Sequence, residues 1–257
     1  MAWAAEVGPF FALRTGPASG DPGEEGYARI GEAYRLTGDR TAGDRLAGDQ
    51  LTGHRLTGEG AAAPLLRGRV EAVAANLGTD EPRVAASLAF QGLAARVWSL
   101  ALGPAALSGA VFDLRPDQLW WNPARTAPDD LWWPGPPRVM GEPDGLAGQL
   151  ADAAYAHLTP LHRAVGRAYR VSDRLLWGNA ASALVGSLRV LHDWCRARGL
   201  DEAGERAVAV ARAQFGYPPL CDTGELTTAP LAFRRRTCCL YYRVPGGGLC
   251  GDCVLRR

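Results

Sequence analysis

Four of the six cysteines in this chain of 257 residues lie within its last twenty residues. They are Cys238, Cys239, Cys250 and Cys253, and their spacing is C-C-x10-C-x2-C. Four thiolates in so short a segment can close around one metal centre. In a reducing compartment, clustered cysteines are typical of metal ligation rather than of a disulfide framework. We therefore expect a metal site in the C-terminal part of the chain.

The spacing also bears on the other roles that cysteines play. Adjacent Cα atoms lie about 3.8 Å apart across a trans peptide, below the roughly 4.4–6.8 Å of ordinary disulfides, so a Cys238–Cys239 disulfide is disfavoured. A zinc ribbon uses two C-x2-C pairs, whereas only Cys250 and Cys253 form one here. A thioredoxin-type redox pair would need a strand–helix context that this segment lacks. A four-thiolate [2Fe–2S] cluster fits the count and the compactness, and zinc stays open on spacing alone.

The loop between the cysteine pairs contains Pro245 followed by three glycines, residues 246–248. Proline stiffens the start of the loop, and glycine permits the unusual backbone angles of a tight return. Arg243 lies inside this loop, and Arg234, Arg235 and Arg236 precede the first thiol. These arginines are either a solvated basic stretch beside an anionic centre or a docking patch for an electron donor or an anionic chelate.

The body of the chain has the hydrophobic periodicity of a mainly helical domain. We predict a helix from about residue 80 to 102, apolar on all sides, buried at the centre of the fold and ended by Gly103 and Pro104. Further helices are expected over 145–157, from Thr159 with Pro160 at its first position, from residue 173 past Cys195 to a stop at Gly199 with Ser172 as the cap, and over 202–215. Residues 216–233 are interpreted as an irregular segment.

Two residues of the helix that begins at residue 173 are second-rank candidates for a substrate or donor site. Asn179 sits in an apolar stretch and needs a hydrogen-bond partner, either the backbone or a polar group that lines a cavity. Trp177 lies nearby. Cys195, on the same helix, is interpreted as a small buried apolar residue, and Cys221 as a bystander.

Short strand-like segments at residues 110–114, 118–121 and 130–133 predict a small β-meander between the helices. Two Trp-Trp pairs lie on it, Trp120-Trp121 and Trp132-Trp133. Because neighbours in a strand face opposite sides, one Trp of each pair should be buried and the other half-exposed. The predicted fold class is therefore mostly α with a small β-sheet, that is α+β, with a cysteine-rich C-terminal extension.

Five tandem pentapeptides of the R-L-T-G-D type begin at residue 35. A period of five matches neither helix nor strand packing, so we interpret residues 35–60 as a low-complexity, disordered insert. The predicted organisation is an N-terminal segment (1–34), this insert (35–60), a mainly helical domain (61–230) and the [2Fe–2S]-binding motif (231–257).

The bulk composition excludes several classes of protein. The formal net charge is +1, so no global field favours nucleic acid or an anionic membrane. No apolar run of about 18 residues is free of charge and proline, and the N-terminus is a poor signal peptide, so we expect a cytoplasmic protein without a transmembrane segment. Neither a G-x-G-x-x-G fingerprint after a strand nor a Walker motif is present, so a built-in nicotinamide or ATP site is not expected.

The residues 236–243 (R-T-C-C-L-Y-Y-R), followed by Cys250-Gly-Asp-Cys253, resemble the C-terminal signature of the FhuF-like ferric-siderophore reductases. The helical segments 175–182 and 90–98 are similar to segments of that family, the second less specifically. The resemblance spans roughly residues 65–257, and the pentapeptide repeat departs from it.

The resemblance implies that Cys238, Cys239, Cys250 and Cys253 bind a [2Fe–2S] cluster. It also implies one-electron reduction of siderophore-bound Fe(III) to Fe(II) in the cytoplasm, with a ferric siderophore, of hydroxamate type, as the substrate. An external donor such as a ferredoxin, flavodoxin or reductase would supply the electron. Two alternatives stay open: a cluster-bearing siderophore-handling or electron-transfer protein without reductase activity, and a zinc-stapled structural protein.

Overall fold

Seven α-helices form most of the described fold. The computed structural model describes residues 2–17, 21–36, 62–136, 138–140 and 145–256. The helices are α1 (Ala2–Val7), α2 (Ile30–Ala33), α3 (Pro64–Leu77), α4 (Pro82–Ser108), α5 (Leu146–Tyr169), α6 (Asp173–Ala197) and α7 (Asp201–Gln214). The pentapeptides lie outside the described residues from position 37 onward, so their predicted disorder stays a prediction.

In the described part of the chain, eight short strands form three small sheets. The strands are β1 (Arg14–Thr15), β2 (Ala28–Arg29), β3 (Val111–Phe112), β4 (Trp120–Trp121), β5 (Leu131–Trp133), β6 (Val139–Met140), β7 (Gly224–Thr228) and β8 (Leu231–Arg235). The first sheet has the order β1-β5-β4-β2, with β1 parallel to β5 and the other pairs antiparallel. Strand β3 pairs with β6, and β7 pairs with β8. The structure confirms the predicted α+β class.

Helix α4 is the centre of the fold, as its apolar composition predicts. It packs against α3, α5, α6 and α7. Residues on every side of it are buried, including Phe90 and Trp98, neither of which has measurable exposure. The indole N–H of Trp98 donates to the carbonyl of Ala180 at 3.0 Å, so this large side chain also fixes α4 against α6.

An ion pair is buried in this apolar centre. The Arg96 guanidinium on α4 forms an ion pair with the Asp130 carboxylate at 2.8 Å, and both side chains are nearly inaccessible. It also donates to the backbone carbonyls of Pro9 and Phe10. Burial lowers the pKa of Arg96, and the charge of Asp130 acts in the opposite direction. Arg96 therefore ties the N-terminal segment to the helical centre.

Among the described helices, α4 is the one that is long and apolar enough to cross a membrane by length and composition. In this fold 78% of its most apolar window is buried inside the protein. The core helix of a soluble protein passes the same test of length and composition.

Several predicted element boundaries were wrong. Helix α4 continues through Pro104 to Ser108, and α5 is one continuous helix with Pro160 inside it rather than two helices. In both cases burial outweighs the backbone hydrogen bond that proline removes. Both Trp132 and Trp133 are buried, because β5 lies inside its sheet, whereas Trp120 and Trp121 follow the predicted alternation. The β7–β8 hairpin replaces the predicted irregular segment.

Candidate metal centre

Residues 236–256, which we call the cysteine loop, follow directly after β8. This loop packs against α4 and α6. Gly178 of α6 allows this close approach, because a Cβ atom at position 178 would lie 2.2 Å from Thr237 Oγ1 and 3.1 Å from Arg235 Nη2. On the other side, the Ser87 hydroxyl of α4 donates to the carbonyl of Cys239 at 2.8 Å. The central helix pair therefore fixes the position of the first two cysteines.

The four cysteines differ in their exposure. Cys239 and Cys253 are buried, with 2% and 5% of their surface exposed, whereas Cys238 and Cys250 are partly exposed. A metal centre held by these side chains would have a protected inner side and an accessible edge. Such an edge suits electron exchange with a molecule outside the fold.

Backbone N–H groups point at three of the four sulfur atoms. Leu240 donates to Cys238 Sγ at 3.4 Å, and Leu255 donates to Cys253 Sγ at 3.3 Å. The backbone of Asp252 donates to Cys250. In each case the donor lies two residues after the cysteine, and for Leu240 this requires a left-handed backbone with φ of 69°. Such N–H groups stabilise metal-bound thiolates and tune the reduction potential.

The thiols of the four cysteines lie close enough to influence one another. The proximity of Cys239 raises the pKa of Cys250, and the proximity of Cys239 and Cys253 raises the pKa of Cys238. Within the described residues, no group of three His, Cys, Asp or Glu side chains is placed to hold a single metal ion. A [2Fe–2S] cluster distributes its four thiolates over two irons and does not need three sulfurs on one metal. The donor set therefore fits such a cluster.

Burial raises the pKa of the Cys238 and Cys250 thiols above the ordinary cysteine value. The neighbouring thiols act in the same direction, and the Arg235 guanidinium acts against them. Thiols of this kind become thiolates when a metal replaces the proton, because the metal charge compensates the buried anion.

A buried hydrogen-bond network connects this loop to the two central helices. The Arg235 guanidinium donates to Asn179 Oδ1 at 2.5 Å. The Asn179 side-chain amide donates to the Ser87 carbonyl at 2.8 Å and to the Ser87 hydroxyl at 2.9 Å. Asn179 thus has the hydrogen-bond partners that a polar side chain in an apolar stretch was expected to need. It positions Arg235 and α4 rather than facing solvent.

Arg235 is the least expected residue of the site. It is 1% exposed, and its Nε and Nη1 atoms have no hydrogen-bond partner. None of the ion pairs in the described part of the chain involves it; the nearby Asp252 carboxylate pairs instead with Arg189 at 2.7 Å. A buried charge of this kind is costly unless an opposite charge compensates it. The anionic centre that four thiolates would hold supplies that charge.

The other arginines of the predicted docking patch lie at the surface. Arg234 donates to the Arg256 carbonyl at 3.1 Å. Arg236 pairs with Asp222 at 3.5 Å, and Arg243 pairs with Glu81 at 2.7 Å. Arg235, in contrast, is buried and cannot contact a docked partner, so the prediction of a docking role was wrong for this residue.

Trp177 lies away from the thiols, on the α5 side of α6. Its ring stacks on His162 with centroids 4.7 Å apart and meets the edge of Tyr155. These contacts make it a packing residue between α5 and α6, and the structure does not bring it to the cysteine loop.

A cavity of about 700 Å³ adjoins the cysteine loop, and sequence reasoning missed it. Cys239, Tyr241, Cys250 and Gly251 form one part of its wall, and helices α4 and α6 and the N-terminal segment 7–11 form the rest. Cavities of this size hold small organic ligands. Two cysteines of the candidate metal centre are therefore in the wall of a ligand-sized space.

With this geometry in place, comparison with protein families identifies the site. Residues 235–255 match the model of the FhuF 2Fe-2S C-terminal domain. The matched segment contains all four cysteines of the loop and begins at the buried Arg235. No curated protein matches the chain.

The chain is therefore an iron–sulfur protein whose cofactor is a [2Fe–2S] cluster. More particularly, residues 235–255 carry a FhuF-type 2Fe-2S C-terminal domain, and this match supports a siderophore-related iron–sulfur protein. The match confirms, for this segment, the resemblance that the cysteine spacing indicated. It also decides against the zinc-stapled alternative that spacing alone left open.

The packing of Gly178 against the cysteine loop gives a first testable prediction. We expect Gly178→Ala to lower the free energy of unfolding by about 1–3 kcal/mol, because the added methyl group overpacks against Thr237 and Arg235. Thermal unfolding and cluster content after purification would measure the effect.

Gly186, on the same helix, provides the matched control. A Cβ atom at position 186 meets nothing within 4 Å. Gly186→Ala should therefore keep the cluster and gain up to about 1 kcal/mol of helix stability. Equal stability and cluster content in the two variants would contradict a packing role for Gly178.

Proposed function

We propose that this protein is a [2Fe–2S] ferric-siderophore reductase that reduces siderophore-bound Fe(III) to Fe(II) by one electron. The observation that carries the proposal is the position of Cys239 and Cys250. These residues belong to the 2Fe-2S domain and are also in the wall of the ligand-sized cavity. A chelate bound there would lie against the cofactor.

In this proposal Cys238, Cys239, Cys250 and Cys253 hold the cluster. Their placement in the matched segment, their mutual contacts and the N–H groups of Leu240, Asp252 and Leu255 support the assignment. A bound [2Fe–2S] cluster supplies single electrons. The chain itself contributes the buried charge of Arg235, the fixed thiol positions and a wall that excludes water from one side.

The chemistry of the substrate explains why one electron suffices. Hydroxamate oxygens are hard donors that match Fe(III), and their bonds to the metal weaken when one electron converts it to Fe(II). Nitrogen and sulfur ligands elsewhere can then compete for the iron. The released Fe(II) and the intact chelator are the products.

The electron must come from an external donor, and we place it in the cytoplasm, where ferredoxins, flavodoxins or their reductases supply such electrons. Arg234 and Arg236 precede Cys238 in the sequence, Arg243 lies between the two cysteine pairs, and all three arginines are exposed. Their positive charge suits an acidic donor. We propose them as the docking patch, without Arg235.

We also propose a division of the chain that follows these roles. Residues 1–34 form an N-terminal segment, 35–60 an insert, 61–230 a mainly helical domain and 231–257 the cluster-binding motif. The contact of the motif with α4 and α6 supports treating the last two parts as one functional unit.

A single-turnover experiment tests the reductase function. The protein is reduced anaerobically, freed of reductant and mixed with a ferric trihydroxamate and an Fe(II)-selective chelator. We expect the cluster to reoxidise with formation of about one Fe(II) per cluster. The Ga(III) complex of the same chelator is the control, because Ga(III) cannot take the electron. A cluster that stays reduced with the ferric complex would reject the reductase and favour the electron-carrier alternative.

A further inference from the structure

We infer that the cavity beside Cys239 and Cys250 binds an uncharged, largely apolar arm of the chelate. This inference rests on the proposed function and adds the substrate chemistry that the site would select. The ferric end of such a ligand would stay at the cysteine loop, and its hydrocarbon part would lie between α4 and α6.

The wall of the cavity indicates the chemistry of its ligand. Apolar side chains line most of it, among them Val7, Phe10, Leu88 and Val190. None of the described residues that line it carries a formal charge, apart from the thiols of Cys239 and Cys250. A charged ligand arm would lose its hydration there without gaining a partner. An uncharged hydrocarbon or aromatic group would gain by leaving water.

The polar side chains among the lining residues are turned away from the cavity or bonded within the protein. Ser182 is 4% exposed, and its hydroxyl has no hydrogen-bond partner. The side-chain carbonyl oxygen of Gln91 is also buried and unpartnered. Ser99 and Ser187, in contrast, are bonded to each other at 2.9 Å. Since none of these polar atoms is open to the cavity, its accessible wall is largely apolar, and an apolar arm is the ligand chemistry that it matches.

The cofactor itself does not account for the cavity. A Fe₂S₂ core has only four atoms besides the thiolates, whereas the cavity measures about 700 Å³ and extends to the N-terminal segment. Only two of the four cysteines line it. The far wall is fixed by Arg96, which holds the carbonyls of Pro9 and Phe10. The space is thus a preformed site for a ligand arm.

Gly186 provides a substitution that fills the cavity without disturbing the cysteine loop. It lines the cavity from α6, and a Cβ atom there meets nothing within 4 Å. Gly186→Leu should therefore keep the fold and the cluster while its side chain occupies the ligand space. Gly68→Leu is the matched control, because Gly68 is also a helical glycine with open space around it but does not line the cavity.

The test measures binding of two Ga(III) trihydroxamates to the cluster-loaded protein, one with an octanoyl amide arm and one with an acetyl amide arm. We expect the octanoyl complex to bind at least tenfold more tightly to the wild type and to the Gly68→Leu variant. Gly186→Leu should abolish this preference, with the visible spectrum of the cluster unchanged.

Equal affinities of the two probes for the wild type, or no binding of either, would overturn the inference. So would a preference that survives Gly186→Leu. Because Ga(III) is not reduced, these outcomes are independent of electron transfer. Binding with the expected preference but no Fe(II) from the ferric complexes would instead reject the proposed reductase and leave the binding site in place.

Discussion

Replacing Cys253 with serine is expected to abolish the [2Fe–2S] cluster. Cys253 is 5% exposed, and its sulfur accepts the N–H of Leu255, so it is held in place as a ligand would be. Serine keeps the size but offers a harder oxygen donor, which thiolate-bound iron–sulfur centres disfavour. We expect iron and acid-labile sulfide to fall more than tenfold after anaerobic purification, with loss of the visible spectrum.

Cys195→Ala is the matched control for this experiment. Cys195 is a buried cysteine on α6, far along the chain from the motif, and burial raises the pKa of its thiol. The variant should keep the cluster and lose only the packing of one sulfur atom. A normal electron paramagnetic resonance signal in dithionite-reduced Cys253→Ser would contradict the proposed ligand set.

Replacing Arg235 with methionine is expected to lower the reduction potential of the cluster. Reduction adds a negative charge, and the buried guanidinium stabilises that charge, so its removal favours the oxidised form. For an effective dielectric constant near 20 and a separation of roughly 8 Å, the interaction is about 2 kcal/mol. That corresponds to a shift on the order of 80 mV to more negative potential for one electron.

Arg235→Lys separates charge from hydrogen bonding. It keeps the positive charge but not the planar guanidinium that donates to Asn179. Redox titration followed by optical or paramagnetic resonance spectroscopy should place the lysine variant within about a third of the methionine shift. Identical potentials in all three proteins would show that Arg235 has a packing role only.

The sequence predicted the local features of the chain, but it did not predict contacts between residues that are distant in sequence. The cysteine spacing identified the metal motif, and apolar periodicity identified α4 as the buried centre. The hydrogen bond between Ser87 and Cys239 joins residues 152 positions apart, and no local sequence pattern predicts such a contact. The same holds for Arg235, which resembles its neighbours Arg234 and Arg236 in sequence but is buried by packing against α6.

The errors in the helices have a related cause. Pro104 and Pro160 are predicted to end a helix when only local sequence is considered. Both nevertheless lie inside long helices whose flanking residues are buried. Tertiary burial of many side chains outweighs the few kcal/mol that one internal proline costs. The sequence did not predict the cavity either, because α4, α6 and residues 7–11 enclose it only after they have packed together.

Cys239 and Cys250 belong both to the proposed ligand set and to the cavity wall, and this shared position couples two equilibria. Ligand binding and electron uptake then form a closed thermodynamic cycle. A ligand that binds the oxidised protein tenfold more tightly than the reduced one must lower its potential by about 59 mV, and a ligand with the opposite preference must raise it equally. The driving force for reduction would therefore be a property of each protein–ligand pair rather than of the protein alone.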